Sequence, residues 1–239
     1  SSTIISSFVS NFVCYIETAT TFIKRDLLDS ERQRRRDGSI INRPWIEERL
    51  RNEARALQLL KEYTTILVPK LIGFGRYDNG LAYLETERLS GIDLESTRDQ
   101  CRTPEGVLHV REGPCEECDS IAKENAARFI NDKVLPQLAK LRSATTGLDG
   151  FVLPPNWILE LHWAPKKANS ASYIFCHGDL AAHNIMMDPN TLDVIGIFDW
   201  ENAGYFPPEF QVWFVDRESY WDYFRDTKRI KEFVALIDV

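Results

Sequence analysis

The sequence predicts an α+β protein in which a small β-rich lobe precedes a larger, mainly helical lobe. Two observations carry this. Residues 12–89 set apolar runs of β type around a single amphipathic helix pattern, whereas residues 121–141 and the C-terminal stretch turn to helical periodicity on either side of one hairpin at 184–199. A chain of 239 residues is long enough for two lobes sharing a cleft. The pattern breaks at Ser90-Gly91, which places the expected lobes at residues 1–89 and 90–239.

The elements follow in order. The opening residues 1–16 alternate loosely and read as strand. Residues 12–26 form two β-rich runs joined by a short polar turn, a hairpin. The basic run of Arg32, Arg34, Arg35 and Arg36 reads as a solvated loop. A helix signal comes next: Asn42 can cap, Pro44 suits the first turn, and Glu47 and Glu48 favour the positive helix end. Ile46, Leu50, Leu57 and Leu60 recur at helical spacing, and Glu53 falls on the same stripe. A carboxylate on an inward face needs a partner, because burying an unpaired charge is costly. Residues 66–89 read as two strands around the Asp78-Asn79-Gly80 turn. From Ile121 to Leu141 the apolar positions outline a long amphipathic helix.

Bulk properties narrow the function classes. With 44% apolar and 27% charged residues, the composition is that of a globular protein with a proper core. A net charge of -7 argues against gripping nucleic acid through the overall field. No apolar run reaches the roughly 18 residues that span a bilayer, and the N-terminal stretch lacks a basic leader, so neither membrane nor signal peptide is expected. Five irregularly spaced cysteines (Cys14, Cys101, Cys115, Cys118, Cys176) fit a reducing, cytoplasmic setting better than a disulfide framework.

The chemistry lies between His177 and Trp200. Ile185–Met187 and Val194–Phe198 are short apolar runs around the turn-forming Asp188-Pro-Asn-Thr. Folding that hairpin near Thr191 brings Asn184 and Asp199 to the same open end, and Asp179 sits five residues before Asn184. One amide and two carboxylates therefore converge. Hard oxygen ligands of this kind suit Mg²⁺, which keeps several waters and binds substrate phosphates. Phosphoryl transfer needs metal across the phosphates, a lysine on the nucleotide, and a carboxylate to orient and deprotonate the acceptor.

Here the sequence resembles the aminoglycoside phosphotransferase and choline kinase-like enzymes, small-molecule relatives of protein kinases. The family's H-G-D followed by Asn stands as His177-Gly178-Asp179 and Asn184; its I-D-W element stands as Phe198-Asp199-Trp200, followed by Glu201, Gly204 and Pro207-Pro208. The resemblance implies a bilobal protein-kinase-like fold with ATP and Mg²⁺ in the cleft. It implies Asp179 as catalytic base, His177 as the buttress of its loop, and Asn184 and Asp199 as Mg²⁺ ligands. In the first lobe it makes Lys24 the strand lysine on the nucleotide phosphates and Glu53 its helix partner, with Glu87 to Leu89 offering backbone groups to adenine. The similarity spans roughly residues 12–215, and the acceptor it implies is a hydroxyl of a small molecule.

Two departures stand out. Residues 1–23 contain no glycine, where kinases place a Gly-rich loop; Ser6, Ser7 and Ser10 could bring a hairpin turn to the phosphates instead. About forty residues follow Asp199, so the acceptor-enclosing helices are expected to be abbreviated. The glycine-free hairpin motivates a rival reading, a weak or inactive kinase-like module that binds a ligand or partner. A protein kinase is disfavoured, since H-R-D, D-F-G and A-P-E are all missing. Three further features are read conservatively. Cys115-Glu-Glu-Cys118 with Cys101 and His109 offers four zinc ligands, but a single C-x-x-C with irregular partners is a weak pattern. His183 reads as a solvated loop residue, with contact to substrate or to Asp179 as the alternative. Trp213, Tyr220, Trp221 and Phe224 read as core and rim of the last helices, with an acceptor wall as the alternative.

Overall fold

A computed structural model of the chain describes residues 3–41, 44–153 and 164–237. Its N-terminal part is an antiparallel sheet of five strands, β1 (Ile4–Val9), β2 (Val13–Thr18), β3 (Thr21–Asp26), β4 (Leu71–Arg76) and β5 (Ala82–Glu87), in the order β1-β2-β3-β5-β4. The β1–β2 turn needs no glycine because Ser10 closes it. Ser10 Oγ donates to the Val13 carbonyl at 2.9 Å and accepts the N–H groups of Phe12 and Val13. Ser6 is likewise engaged, with Glu17. In the basic stretch, Arg25 grips Glu31 through two 2.7 Å contacts and Arg32 grips Asp26 at 3.0 Å, so part of that run is paired rather than freely solvated.

Helix α1 (Ile46–Tyr63) lies across this sheet. The expected cap, Asn42, lies outside the described residues; Trp45 precedes the first turn in a left-handed conformation without a side-chain cap. The predicted stripe is buried, Glu53 included. Its two halves serve different cores. Ile46, Leu50 and Ala54 pack with Val13, Ala82 and Leu84 under the sheet, while Ala56, Leu57 and Leu60 enter the main core of the second lobe. Each large apolar side chain so buried contributes about 1.5–3 kcal/mol, which makes α1 the principal link between the lobes.

The second lobe begins with β6 (Ile92–Asp93) and a 3-10 turn, Leu94–Asp99, capped by Asp93. The long helix starts earlier than predicted, as α2 (Glu116–Phe129), widens into a π turn at Ile130–Val134 and finishes as α3 (Leu135–Leu138). Cys118, Ala122, Ala126, Ile130, Val134 and Leu138 are all fully buried at a strict spacing of four. Each step of four overshoots a 3.6-residue turn by about 40°. One wider turn rotates the stripe back toward the core, and Pro136, which has no N–H, is compatible with the interrupted ladder.

Short ladders complete the lobe: β7 (Arg142–Ser143), β8 (Tyr173–Cys176), β9 (Leu180–Ala181), β10 (Ile185–Met187), β11 (Val194–Ile197), β12 (Gly204–Phe206) and β13 (Trp213–Phe214). Strand β10 pairs with both β11 and β6, β8 with β7 and β12, and β13 with β9. These strands add to the helical content expected of this lobe. Helices α4 (Arg217–Arg225) and α5 (Thr227–Ile237) close the chain, with Phe233 of α5 packed on Phe206 and Phe210. Among the described residues no helix is long and apolar enough to cross a membrane.

Candidate active site

The β10–β11 hairpin carries the first half of the site. Ile185 pairs with Ile197, and the Phe198 N–H donates to the Asn184 carbonyl at 3.1 Å, so Asn184 faces Phe198, one residue short of Asp199. Asp199 has left-handed backbone (φ 63°), which swings its carboxylate toward β3. There Lys24 Nζ donates to Asp199 Oδ1 at 2.5 Å and to Glu53 Oε2 at 2.7 Å. Strand, helix and hairpin, separated by up to 175 residues, meet on one ammonium group.

Burial sets the electrostatics. Lys24 is 6% exposed and Glu53 3%. Desolvation alone would lower the Lys24 ammonium, yet the Asp199 and Glu53 carboxylates override it and hold it well above its ordinary value. Burial pushes the Glu53 carboxyl up to about 7 against the pull of Lys24. Burial also opposes ionisation of Asp199, but Lys24 wins and keeps it below the usual carboxylate range.

The second half surrounds Asp179. His177 is fully buried; its Nδ1 accepts the Asp179 N–H at 3.2 Å and its Nε2 donates to the Phe198 carbonyl at 3.0 Å. Burial holds the imidazole below its ordinary value, and the two bonds fix one neutral tautomer. His177 therefore ties the Asp179 backbone to the Phe198 carbonyl. Gly178 has φ +81°, and a Cβ there would meet the Asn202 carbonyl at 2.4 Å, so only glycine fits. Asn184 spends its amide hydrogens on the Asp179 carbonyl (2.8 Å) and carboxylate (3.3 Å), which keeps Oδ1 out of both bonds. Trp200, fully buried, donates Nε1–H to the Ile197 carbonyl and packs on His177.

Three groups of residues beyond the sequence-predicted set take part. Tyr220 of α4 donates its hydroxyl to Asp179 Oδ1 at 2.7 Å; burial and the adjacent carboxylate raise its own pKa. His183 is not a solvated loop residue. Its Nε2 lies 3.6 Å from Asp179, its Nδ1 lies 3.8 Å from Glu95, and its ring meets Tyr220 edge-on. From α1, Arg49 donates to Asn202 Oδ1 at 2.5 Å and to Glu201, while Asn52 donates to the carbonyls of Glu201 and Ala203. Helix α1 is thereby fastened to the segment that follows Asp199. A helical-period polar trio, Arg49, Asn52 and Glu53, was the available signal for this contact.

Between the two lobes lies an open cleft. Lys24, Glu53 and Asp199 stand at one end; Phe22, Met186 and Phe198 supply apolar walls, and Glu87 to Leu89 line another side. The N–H groups of Glu87 and Arg88 donate to the Lys70 and Thr20 carbonyls. Asn184 Oδ1 and the second carboxylate oxygen of Asp199 form an all-oxygen donor set of the type Mg²⁺ takes, so the residues fit that ion.

A sheet lysine paired with a helix glutamate, above a loop-and-hairpin carrying Asp, Asn and Asp, defines a bilobal kinase-like fold. The chain is similar to the phosphotransferase enzyme family, whose model matches residues 121–233. Among solved structures, an aminoglycoside phosphotransferase in complex with GDP is 12% identical across 87% of this chain and 69% of that one, with a TM-score of 0.49. A candidate aminoglycoside phosphotransferase from Ralstonia eutropha is 15% identical, covering 87% and 61%, with a TM-score of 0.47. A candidate fructosamine-3-kinase from Haemophilus somnus gives 15%, 87%, 69% and 0.47. This chain thus spans between 61% and 69% of the length of these three. No curated protein matches the chain significantly.

Proposed function

We propose that this protein is an ATP- and Mg²⁺-dependent phosphotransferase that moves the γ-phosphoryl group to a hydroxyl of a small molecule. The observation that carries the reading is the Lys24 ammonium held between Glu53 and Asp199 at the mouth of the interlobe cleft. In this reading residues 1–89 and 90–239 are the two lobes. The apolar walls of Phe22, Met186 and Phe198 take adenine, the hinge supplies backbone groups near Glu87 and Leu89, and Lys24 orients the phosphates. Asn184 and Asp199 would hold Mg²⁺, which supplies charge neutralisation across the phosphates when bound. Asp179 accepts the proton of the acceptor hydroxyl, while His177 and Tyr220 keep its carboxylate in place. The free thiols support a reducing, cytoplasmic setting.

The rival, a kinase-like binding module without turnover, draws on Ser10, whose hydroxyl is spent inside its own turn rather than offered to phosphate. Calorimetry with Mg-ATP, paired with an ADP-release screen of hydroxyl metabolites, separates the two. Binding is expected in the wild type, and Asp179→Asn should retain it while turnover falls by about 10²–10⁴-fold. No binding at millimolar Mg-ATP would remove the enzyme reading.

A further inference from the structure

Away from the cleft, the chain between Gln100 and Pro114 makes an irregular excursion whose only regular piece is a short 3-10 turn at Pro104–Gly106. Val107 and Leu108 within it are exposed, so the excursion does not fold around a core of its own. Stretches of this length without secondary structure are uncommon unless something fastens them. At its two ends and in its middle stand Cys101, His109, Cys115 and Cys118.

Their side chains converge. His109 Nδ1 lies 3.8 Å from Cys101 Sγ, 3.8 Å from Cys115 Sγ and 3.6 Å from Cys118 Sγ. Cys118 Sγ lies 4.0 Å from Cys101 Sγ, and all four ligand atoms fall within 4.8 Å of one another. Hydrogen bonding does not explain this shape. A ring nitrogen has either one proton or one lone pair, and it cannot serve three sulfurs at once. Nor does a disulfide, since the Cys101–Cys118 separation is about twice an S–S bond. A common centre does explain it. Tetrahedral Zn²⁺ with Zn–S of about 2.3 Å and Zn–N of about 2.0–2.1 Å has S–N edges near ~3.6 Å and S–S edges near ~3.8 Å. These four separations, 3.6 to 4.0 Å, lie close to those edges.

Backbone donors and a helix end also point at the sulfurs, independently of the distances between side chains. The Arg102 N–H donates to Cys118 Sγ and the His109 N–H to Cys101 Sγ, both at 3.3 Å. Cys115 precedes α2 and Cys118 sits in its first turn, where the positive end of a 14-residue helix favours negative charge. Three thiolates, one neutral imidazole and Zn²⁺ leave a net charge of about -1 at the helix N-terminus.

We propose that Cys101, His109, Cys115 and Cys118 bind one structural Zn²⁺ that clips the 100–114 excursion onto the start of α2. Four protein ligands close the coordination sphere, so the ion has no open position for catalysis. The clip also reaches toward the active site. The Cys115 N–H donates to the Arg98 carbonyl at 2.7 Å, on the same 3-10 turn that presents Glu95 to His183.

The test uses the full chain expressed in medium supplemented with zinc sulfate and purified without chelators. Elemental analysis should find about one zinc per chain. Cys118→Ser and Cys115→Ser should each lower that at least tenfold, whereas Cys14→Ser and Cys176→Ser should leave it unchanged. Should the serine variants fail to fold, His109→Cys, which keeps four ligands, is expected to stay soluble and zinc-loaded. Exchange with cobalt chloride should give the intense visible bands and sulfur-to-metal charge transfer of a tetrahedral thiolate site. Zinc at trace level in the wild type together with no thiolate–cobalt spectrum would overturn the proposal, as would a Cys101–Cys118 disulfide found by mass spectrometry.

Discussion

Lys24→Met removes the cation from between two carboxylates, and the structure fixes both the size and the pH dependence of the result. Lys24 and Glu53 are almost wholly buried, with Nζ at 2.7 Å from Glu53 and 2.5 Å from Asp199. Removing one partner of a buried pair costs about 3–5 kcal/mol, because the other charge is left uncompensated. The pH dependence follows from each carboxyl in turn. Burial already holds Glu53 up to about 7, so folding takes up a proton and this group erodes stability as pH rises from the unfolded value of 4.5 toward 7. Without Lys24 the folded value climbs further and the erosion continues above pH 7. Asp199, held low by Lys24 against burial, contributes stability above its unfolded value of 3.8 that is lost as pH falls through its folded value; the variant lacks that contribution. Both effects make the penalty grow with pH. At about 1.36 kcal/mol for each unit of pKa, the expected loss is about 3–5 kcal/mol at pH 8, and the unit between 7 and 8 on Glu53 makes it about 1.4 kcal/mol less at pH 5. Urea unfolding followed by tryptophan fluorescence at the two pH values measures it. A loss below about 1 kcal/mol at pH 8, or an equal loss at both pH values, would refute the buried-pair reasoning.

Two further substitutions probe the loop around Asp179. Gly178→Ala places a Cβ 2.4 Å from the Asn202 carbonyl in a left-handed backbone, and should cost about 3 kcal/mol in a thermal or denaturant melt; a melt like the wild type would mean the loop does not pass so close to Asn202. Tyr220→Phe deletes a 2.7 Å hydrogen bond to a charged acceptor, worth about 1.5–3 kcal/mol. Its stability should drop by an amount in that range at neutral pH, and an unchanged denaturation midpoint would show that the hydroxyl does not bond Asp179 in solution.

Local patterns were legible from the residues alone. The inward stripe of α1, the Glu53 carboxylate on it, and the hairpin whose open end carries Asn184 opposite Phe198, next to Asp199, all follow from helical or strand periodicity. What escaped were partners set by the path of the chain between elements. Tyr220 reaches Asp179 across 41 residues, and nothing in its own neighbourhood distinguishes it from a core aromatic. The π turn at 130–134 is encoded only in the strict four-residue spacing of the buried stripe, which ordinary helical counting absorbs without notice. The Cys/His cluster was visible as four candidate zinc ligands in a weak pattern, without the convergence that the folded excursion gives them. Intervals of eight, six and three residues match no ligand pattern until the excursion is folded.

The fastening of α1 to Glu201, Asn202 and Ala203 has a consequence for control. In an enzyme of the proposed type, the step most open to regulation is the swing of this helix, which makes or breaks the lysine–glutamate pair. Here Arg49 and Asn52 anchor the helix to the chain just beyond Asp199, so the swing would have to tear buried hydrogen bonds from several backbone and side-chain acceptors at once. Such a chain would emerge from synthesis already switched on, with its output governed by how much of it is made and by the supply of its acceptor.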